Sequence, residues 1–119
     1  MLSKLLSKPY LALLYSAFIL FLCVIPSEEL KDMETDDKTA HFLAFTGISF
    51  LWMFVDRHWL KVLIGGILFG IAIEFIQAAL PESFHRSFDW YDALADGIGV
   101  CIGLFIYYPI NLIMKKLEI

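Results

Sequence analysis

The chain has 119 residues, of which 60% are hydrophobic and only 18% are charged, and its formal net charge is −4. A soluble domain of this length usually carries more charge and less apolar bulk, so the composition indicates an integral membrane protein. The nine basic residues are scattered near the ends of apolar segments, which argues against a nucleic-acid-binding face. The length suffices for a single membrane domain over residues 1–119, with no separate soluble domain.

The first apolar segment covers about residues 9–25 and is long enough to cross a bilayer. Lys4 and Lys8 precede it, as basic residues precede a cleaved signal peptide. No small-x-small cleavage site follows, however, and Leu22 stands where a lipoprotein signal would have a small residue before Cys23. We therefore predict that the segment stays in the protein as its first membrane-spanning helix.

Three further apolar segments follow, at about residues 38–55, 60–80 and 92–114. The sequence thus predicts an all-α polytopic protein, a bundle of four transmembrane helices. Cys23 and Cys101 both lie inside apolar segments, which predicts buried packing rather than a disulfide or a zinc site.

The distribution of lysine and arginine predicts the orientation. With both termini inside, six basic residues lie on the cytoplasmic side and three on the outside, which agrees with the positive-inside rule. The six are Lys4, Lys8, Arg57, Lys61, Lys115 and Lys116, and the three are Lys31, Lys38 and Arg86. We therefore predict an N-in, C-in topology.

Nine polar residues carry a high free-energy cost in or beside a membrane. The predicted topology places all of them on the extracytoplasmic side. Ionisable groups at such positions are usually functional, because they are costly unless paired. They come from three separate segments, so we predict one polar site. Its members are Asp37, Lys38, His41, Glu74, Gln77, Arg86, Asp89, Asp92 and Asp96.

The candidates for catalysis are His41, Glu74 and Asp92. Asp37 precedes His41 by four residues and shares its helical face, so it can set the tautomer of the histidine for proton transfer. The alternative is that Asp37 only caps the helix. Glu74 lies about 9 Å inside an apolar helix, where a carboxylate needs a proton, a cation or an interhelical hydrogen bond.

The other six polar residues are candidates for binding. Arg86 can bridge carboxylates or hold an anionic ligand, and mutual neutralisation with the nearby acids is the alternative. His, Glu and Asp side chains can also ligate a hard divalent metal, but no ligand spacing demands one, so we predict neither a metal nor a cofactor. The six are Asp37, Lys38, Gln77, Arg86, Asp89 and Asp96.

Glycines continue the polar faces of the last two predicted helices. Gly66 and Gly70 share a face with Glu74, and Gly99 and Gly103 extend the face of the loop acids. Small residues at a spacing of four let helices approach closely in lipid. This pattern predicts that the third and fourth helices pack along their glycine faces and open into the polar site.

Several spacings together resemble the VanZ-like family, small bacterial membrane proteins named after an accessory factor in teicoplanin resistance. The resemblance covers roughly residues 37–103 and implies a multi-helix domain in the bacterial cytoplasmic membrane, with a possible link to the cell envelope or to glycopeptide antibiotics. The family pattern usually has asparagine at the position of Asp96. The matching pieces are Asp37-Lys38-x-x-His41-Phe42, Glu74-x-x-Gln77, Arg86, Asp89, Asp92 and Asp96-Gly97-x-Gly99-x-x-x-Gly103.

Three functions fit these features. The first is a site that binds or modifies an envelope component, such as a lipid-linked precursor or an anionic lipid headgroup. The second is a non-enzymatic accessory protein whose polar cluster locks the bundle beside an envelope protein. The third is a small dimeric transporter, which is disfavoured because the midplane positions are apolar or glycine. Membrane lipids are the expected surroundings in all three, and no nucleic acid is expected.

Overall fold

A computed structural model describes residues 1–25, 37–84 and 86–119, with only the backbone described for Asp37, and these ranges contain helices and no strand. The all-α prediction is confirmed, and each of the four predicted segments corresponds to one helix. Helices α3, α4 and α5 are each long and apolar enough to cross a membrane, and α2 is a shorter apolar helix. The helices are α1 (Leu2–Ser7), α2 (Pro9–Val24), α3 (Asp37–Val55), α4 (Trp59–Ala79) and α5 (Trp90–Lys116), and a 3-10 turn (Glu82–Phe84) follows α4.

The structure differs from the hydropathy prediction in one additional helix and in the start of α5. The short helix α1 was not predicted, and it ends before Pro9 because Lys8 takes the extended conformation (φ −84°, ψ 149°) that a following proline favours. Helix α5 begins at Trp90, two residues earlier than predicted. There Asp89 caps the helix, since its carboxylate accepts a hydrogen bond from the backbone N–H of Tyr91 at 2.8 Å.

Both ends of the chain meet at one end of the bundle. The amino group of Met1 donates a hydrogen bond to the carbonyl oxygen of Ile119 at 3.1 Å, and the N–H of Ser3 donates to the same oxygen at 2.9 Å. Four apolar helices that alternate in direction bring the termini together in this way.

The glycine face of α5 packs against α3, and these two helices form the most extensive contact in the bundle. A Cβ atom on Gly99 would collide with the backbone carbonyl of Phe42. One on Gly103 would collide with the Ser49 hydroxyl and the Thr46 carbonyl. The sequence predicted that Gly99 and Gly103 face the third predicted helix, residues 60–80, which is α4 in the structure. That prediction is wrong, because both glycines face α3.

The glycines of α4 do face α5, as predicted. A Cβ atom on Gly66 would lie 2.7 Å from a methyl carbon of Val100, and one on Gly70 would lie 3.0 Å from Asp96. Helix α5 therefore lies between α3 and α4. Its own glycines, Gly99 and Gly103, contact α3. Its larger side chains, Val100 and Asp96, contact the glycines of α4.

The outer surface of the bundle is strongly apolar. Large side chains such as Leu14, Leu68 and Phe105 are 60–83% exposed, as expected for a surface that faces lipid. Cys23 is buried, as predicted. Cys101 is exposed on α5, so the prediction that both cysteines are buried is wrong for this one.

Candidate functional site

Four ionisable side chains from three helices are buried together near the end of the bundle where α3 and α5 begin and α4 ends. His41 comes from α3, Glu74 from α4, and Asp92 and Asp96 from α5, and none of the four is more than 7% exposed. Asp96 lies six residues from the start of α5, about 9 Å along the helix. We call these four residues the polar centre.

His41 is held between two carboxylates of α5. Its Nδ1 lies 2.8 Å from Oδ1 of Asp96, and its Nε2 lies 3.8 Å from Oδ2 of Asp92. The spacing of Asp92 and Asp96 places both carboxylates on one face of α5. The sequence suggested Asp37 as the partner of His41, and that side chain lies outside the described residues.

Glu74 is the residue that α4 contributes to the polar centre. Its Oε1 accepts a hydrogen bond from the backbone N–H of Asp89 at 3.1 Å. Its Oε2 is buried and has no hydrogen-bond partner within residues 1–25, 37–84 and 86–119. Gly70, one turn earlier on α4, leaves the space in which the Asp96 carboxylate lies. The absence of a side chain at Gly70 thus lets α5 bring Asp96 close to α4.

Lys38 lies at the outer rim of the polar centre and is half exposed. Its Nζ is 3.3 Å from Oδ2 of Asp89 and 3.5 Å from Oδ1 of Asp92. The hydrogen bond from the N–H of Tyr91, together with the Lys38 ammonium, holds the pKa of the Asp89 carboxyl below its usual value. Asp89 is therefore an ionised helix cap that links Lys38 and Glu74.

The side chains of Gln77 and Arg86 donate hydrogen bonds to backbone carbonyls at the C-terminal end of α2. The Gln77 amide donates a hydrogen bond to the carbonyl of Cys23 at 2.9 Å. Arg86 donates to the carbonyls of Leu22 (3.1 Å) and Ile25 (3.2 Å). The last carbonyls of a helix lack intrahelical partners and favour a cation. From the sequence, Arg86 was a candidate to bridge carboxylates or to hold an anionic ligand, with mutual neutralisation by the nearby acids as the alternative. In the described parts of the chain its hydrogen bonds go to these carbonyls.

A second histidine–carboxylate pair lies at the opposite end of the bundle. In the turn between α3 and α4, Nδ1 of His58 is 2.6 Å from Oδ1 of Asp56, and both side chains are exposed. The hydrogen bond from His58 lowers the pKa of the Asp56 carboxyl. This pair has the same two residue types as His41 and Asp96 without their burial, so it offers a matched control.

An open groove of about 460 Å³ lies between α2, α3 and α4, and the sequence pattern did not predict it. Trp52, Gly66 and Phe69 line it among mostly apolar residues, and Asp56 and Lys61 lie at one end. It shares no lining residue with the polar centre. The adjacent small residues Gly65 and Gly66 were the available sequence signal, because they reduce side-chain bulk on α4.

One family comparison covers most of the chain. The model of a family described as VanZ/LLP1 matches residues 10–114. This range contains the whole polar centre and extends the motif resemblance over residues 37–103 to include α2. No match was found among curated proteins or among solved structures.

Proposed function

The chain belongs to the VanZ/LLP1 family, and from this membership and the polar centre we propose that it binds or acts on a component of the bacterial cell envelope. In this proposal it spans the cytoplasmic membrane four times, with both termini inside and the polar centre at the extracytoplasmic side. The ligand is a lipid-linked precursor or an anionic lipid headgroup. The observation that carries the proposal is the burial of four ionisable side chains from three helices at one site.

The geometry suits proton transfer to or from a group at the membrane interface. Asp96 fixes the orientation of the His41 ring through the 2.8 Å contact, and Asp92 faces the other ring nitrogen. A histidine oriented in this way is a suitable general acid or base. Lys38, half exposed at the rim, can attract the phosphate or carboxylate of an incoming molecule.

The alternative is an accessory protein whose polar residues only stabilise the bundle. Gln77 and Arg86 favour it locally, since both hold the end of α2. The polar centre differs from these two residues because it brings several carboxylates together. Clustered carboxylates repel one another in a medium of low dielectric constant, so they reduce stability unless another group neutralises them. A cluster of that kind is better explained by function.

We expect His41→Ala to abolish the function. A bacterial strain lacking the gene should show an altered profile of membrane lipids or lipid-linked precursors, or altered glycopeptide susceptibility. Wild-type protein should restore that profile, and His41→Ala at equal membrane abundance should not, because the group for proton transfer is missing. Lipid mass spectrometry and susceptibility assays measure the result, and immunoblotting measures abundance.

His58→Ala is the matched control, and it should restore the profile as wild type does. If His41→Ala also restores it, the polar centre has no role in the function. An unchanged profile in the deletion strain would contradict the envelope role itself. Loss of the His41→Ala protein from the membrane would support the accessory alternative, and His41→Gln, which keeps a polar side chain, then tests whether folding alone was at fault.

The proposed orientation predicts where single cysteines react in a variant that lacks Cys23 and Cys101. A membrane-impermeant maleimide should label Ser87→Cys in intact cells, since the loop between α4 and α5 lies outside. It should label His58→Cys only after permeabilisation, because the turn between α3 and α4 lies inside. The reverse pattern would place the polar centre at the cytoplasmic side.

A further inference from the structure

We infer that the polar centre is a binding site for one divalent transition-metal ion, with His41, Glu74 and Asp96 as its protein ligands. In the metal-bound form His41 acts as a ligand rather than as a general acid or base. The functional consequence of the metal rests on the proposed function, but its binding does not. The sequence spacing alone gave no reason to predict this site, because the three ligands come from three different helices.

The first support is geometric. His41, Glu74 and Asp96 each offer one ligand atom, and these atoms all lie within 4.8 Å of one another. Ligands at about 2.0–2.2 Å from one ion are separated from each other by up to about 4.4 Å. Three ligands spread around one ion at these distances lie about 3–4 Å from one another, so side-chain movements of about 1 Å suffice to bring all three onto a single ion. The 2.8 Å between His41 and Asp96 already suits two adjacent ligands.

The second support is the state of Glu74. Its side chain is 0% exposed, and its Oε2 has no hydrogen-bond partner in the described parts of the chain. The other oxygen is fixed by the N–H of Asp89. A carboxylate that is anchored through one oxygen and has the other available is arranged as an oriented metal ligand. Without a cation, burial of that second oxygen is unfavourable.

The third support is the balance of charge. Three carboxylates, those of Glu74, Asp92 and Asp96, lie within the polar centre. Lys38 contacts Asp92 from the half-exposed rim, at 3.5 Å. A divalent cation adds two positive charges where the carboxylates converge and relieves their mutual repulsion.

The ligand set indicates the class of metal. One imidazole with carboxylates suits borderline ions such as Fe²⁺ and Zn²⁺. A site for Ca²⁺ normally uses only oxygen ligands, and Cu⁺ favours sulfur, which none of the three ligands supplies. Zn²⁺ and Co²⁺ are therefore suitable probes, and Co²⁺ adds visible absorption that reports the coordination.

The test uses the purified full chain in detergent after removal of metals with a chelator. Titration with Co²⁺ should produce visible absorption bands that saturate at one ion per chain, and Zn²⁺ should displace the Co²⁺. Glu74→Gln should remove measurable Zn²⁺ binding, and Asp96→Asn should weaken it at least tenfold. His58→Ala should bind as wild type does, because the exposed pair at the other end is not a ligand. Circular dichroism and gel filtration verify that each variant is folded.

The metal inference and the proposed function can fail separately. Absence of saturable binding to the wild-type chain overturns the metal site, as does equal Zn²⁺ affinity in folded Glu74→Gln and in wild type. If one variant does not fold, the Zn²⁺ affinity of the other variant and the number of Co²⁺ ions bound per wild-type chain still test the metal site. A strain whose lipid profile depends on His41 in a protein that binds no metal would leave the proposed function standing alone. Metal binding without any envelope phenotype would leave only the metal site.

Discussion

Replacement of Gly103 by leucine is expected to prevent the bundle from forming. A Cβ atom at this position already collides with the Ser49 hydroxyl and the Thr46 carbonyl of α3. A side chain can rotate away, but the backbone carbonyl cannot, so α3 and α5 would have to separate along their most extensive contact. Adding even one or two methylenes to a close-packed contact costs about 1–3 kcal/mol, and leucine adds four carbons beside a backbone.

Gly97→Leu is the matched control on the same helix. A Cβ atom on Gly97 meets nothing within 4 Å, so the leucine side chain can extend outwards and the helix gains a better helix-forming residue. Thermal unfolding and gel filtration in detergent should show a folded, monodisperse Gly97→Leu protein. The Gly103→Leu protein should be aggregated or absent. Equal melting temperatures in the two variants would show that α3 and α5 do not pack at Gly103.

Hydropathy was sufficient to predict the four apolar helices, because the thickness of a bilayer fixes how long an apolar run must be. The convergence of His41, Glu74 and Asp96 was also accessible. Alternating helix directions bring the start of α3, the end of α4 and the start of α5 to one end of the bundle. The predicted topology alone therefore assigns these three residues to one site.

The sequence did not predict which helices pack against each other. Periodicity shows that Gly99 and Gly103 share a face, but it does not show which helix that face meets. The signal for α3 was the pair of small polar residues Thr46 and Ser49, which leave its backbone open to close approach. Arg86 shows the same limit, since its hydrogen bonds depend on where the end of α2 lies and no local pattern encodes that position.

Glu74→Gln is expected to raise the stability of the metal-free protein while it abolishes metal binding and function. Glutamine keeps an oxygen that can accept the hydrogen bond from the N–H of Asp89. It removes a negative charge beside Asp92 and Asp96, and its amide group can donate to them. A buried polar group without a partner costs about 1–3 kcal/mol, and more when it is charged, so the unfolding free energy should rise by at least about 1 kcal/mol. The melting temperature after metal removal measures this effect.

Added Zn²⁺ should reverse the order of the two proteins. A ligand that binds only the folded state stabilises it by about 2.7 kcal/mol at a hundred times its dissociation constant. The wild-type melting temperature should therefore rise with Zn²⁺ and pass that of Glu74→Gln, which should not respond. Asp56→Asn, in the exposed pair, should follow the wild type throughout. A metal-free Glu74→Gln protein that melts below wild type would instead identify Glu74 as a structural lock, because a carboxylate that stabilises the bundle by itself needs no metal to account for its burial.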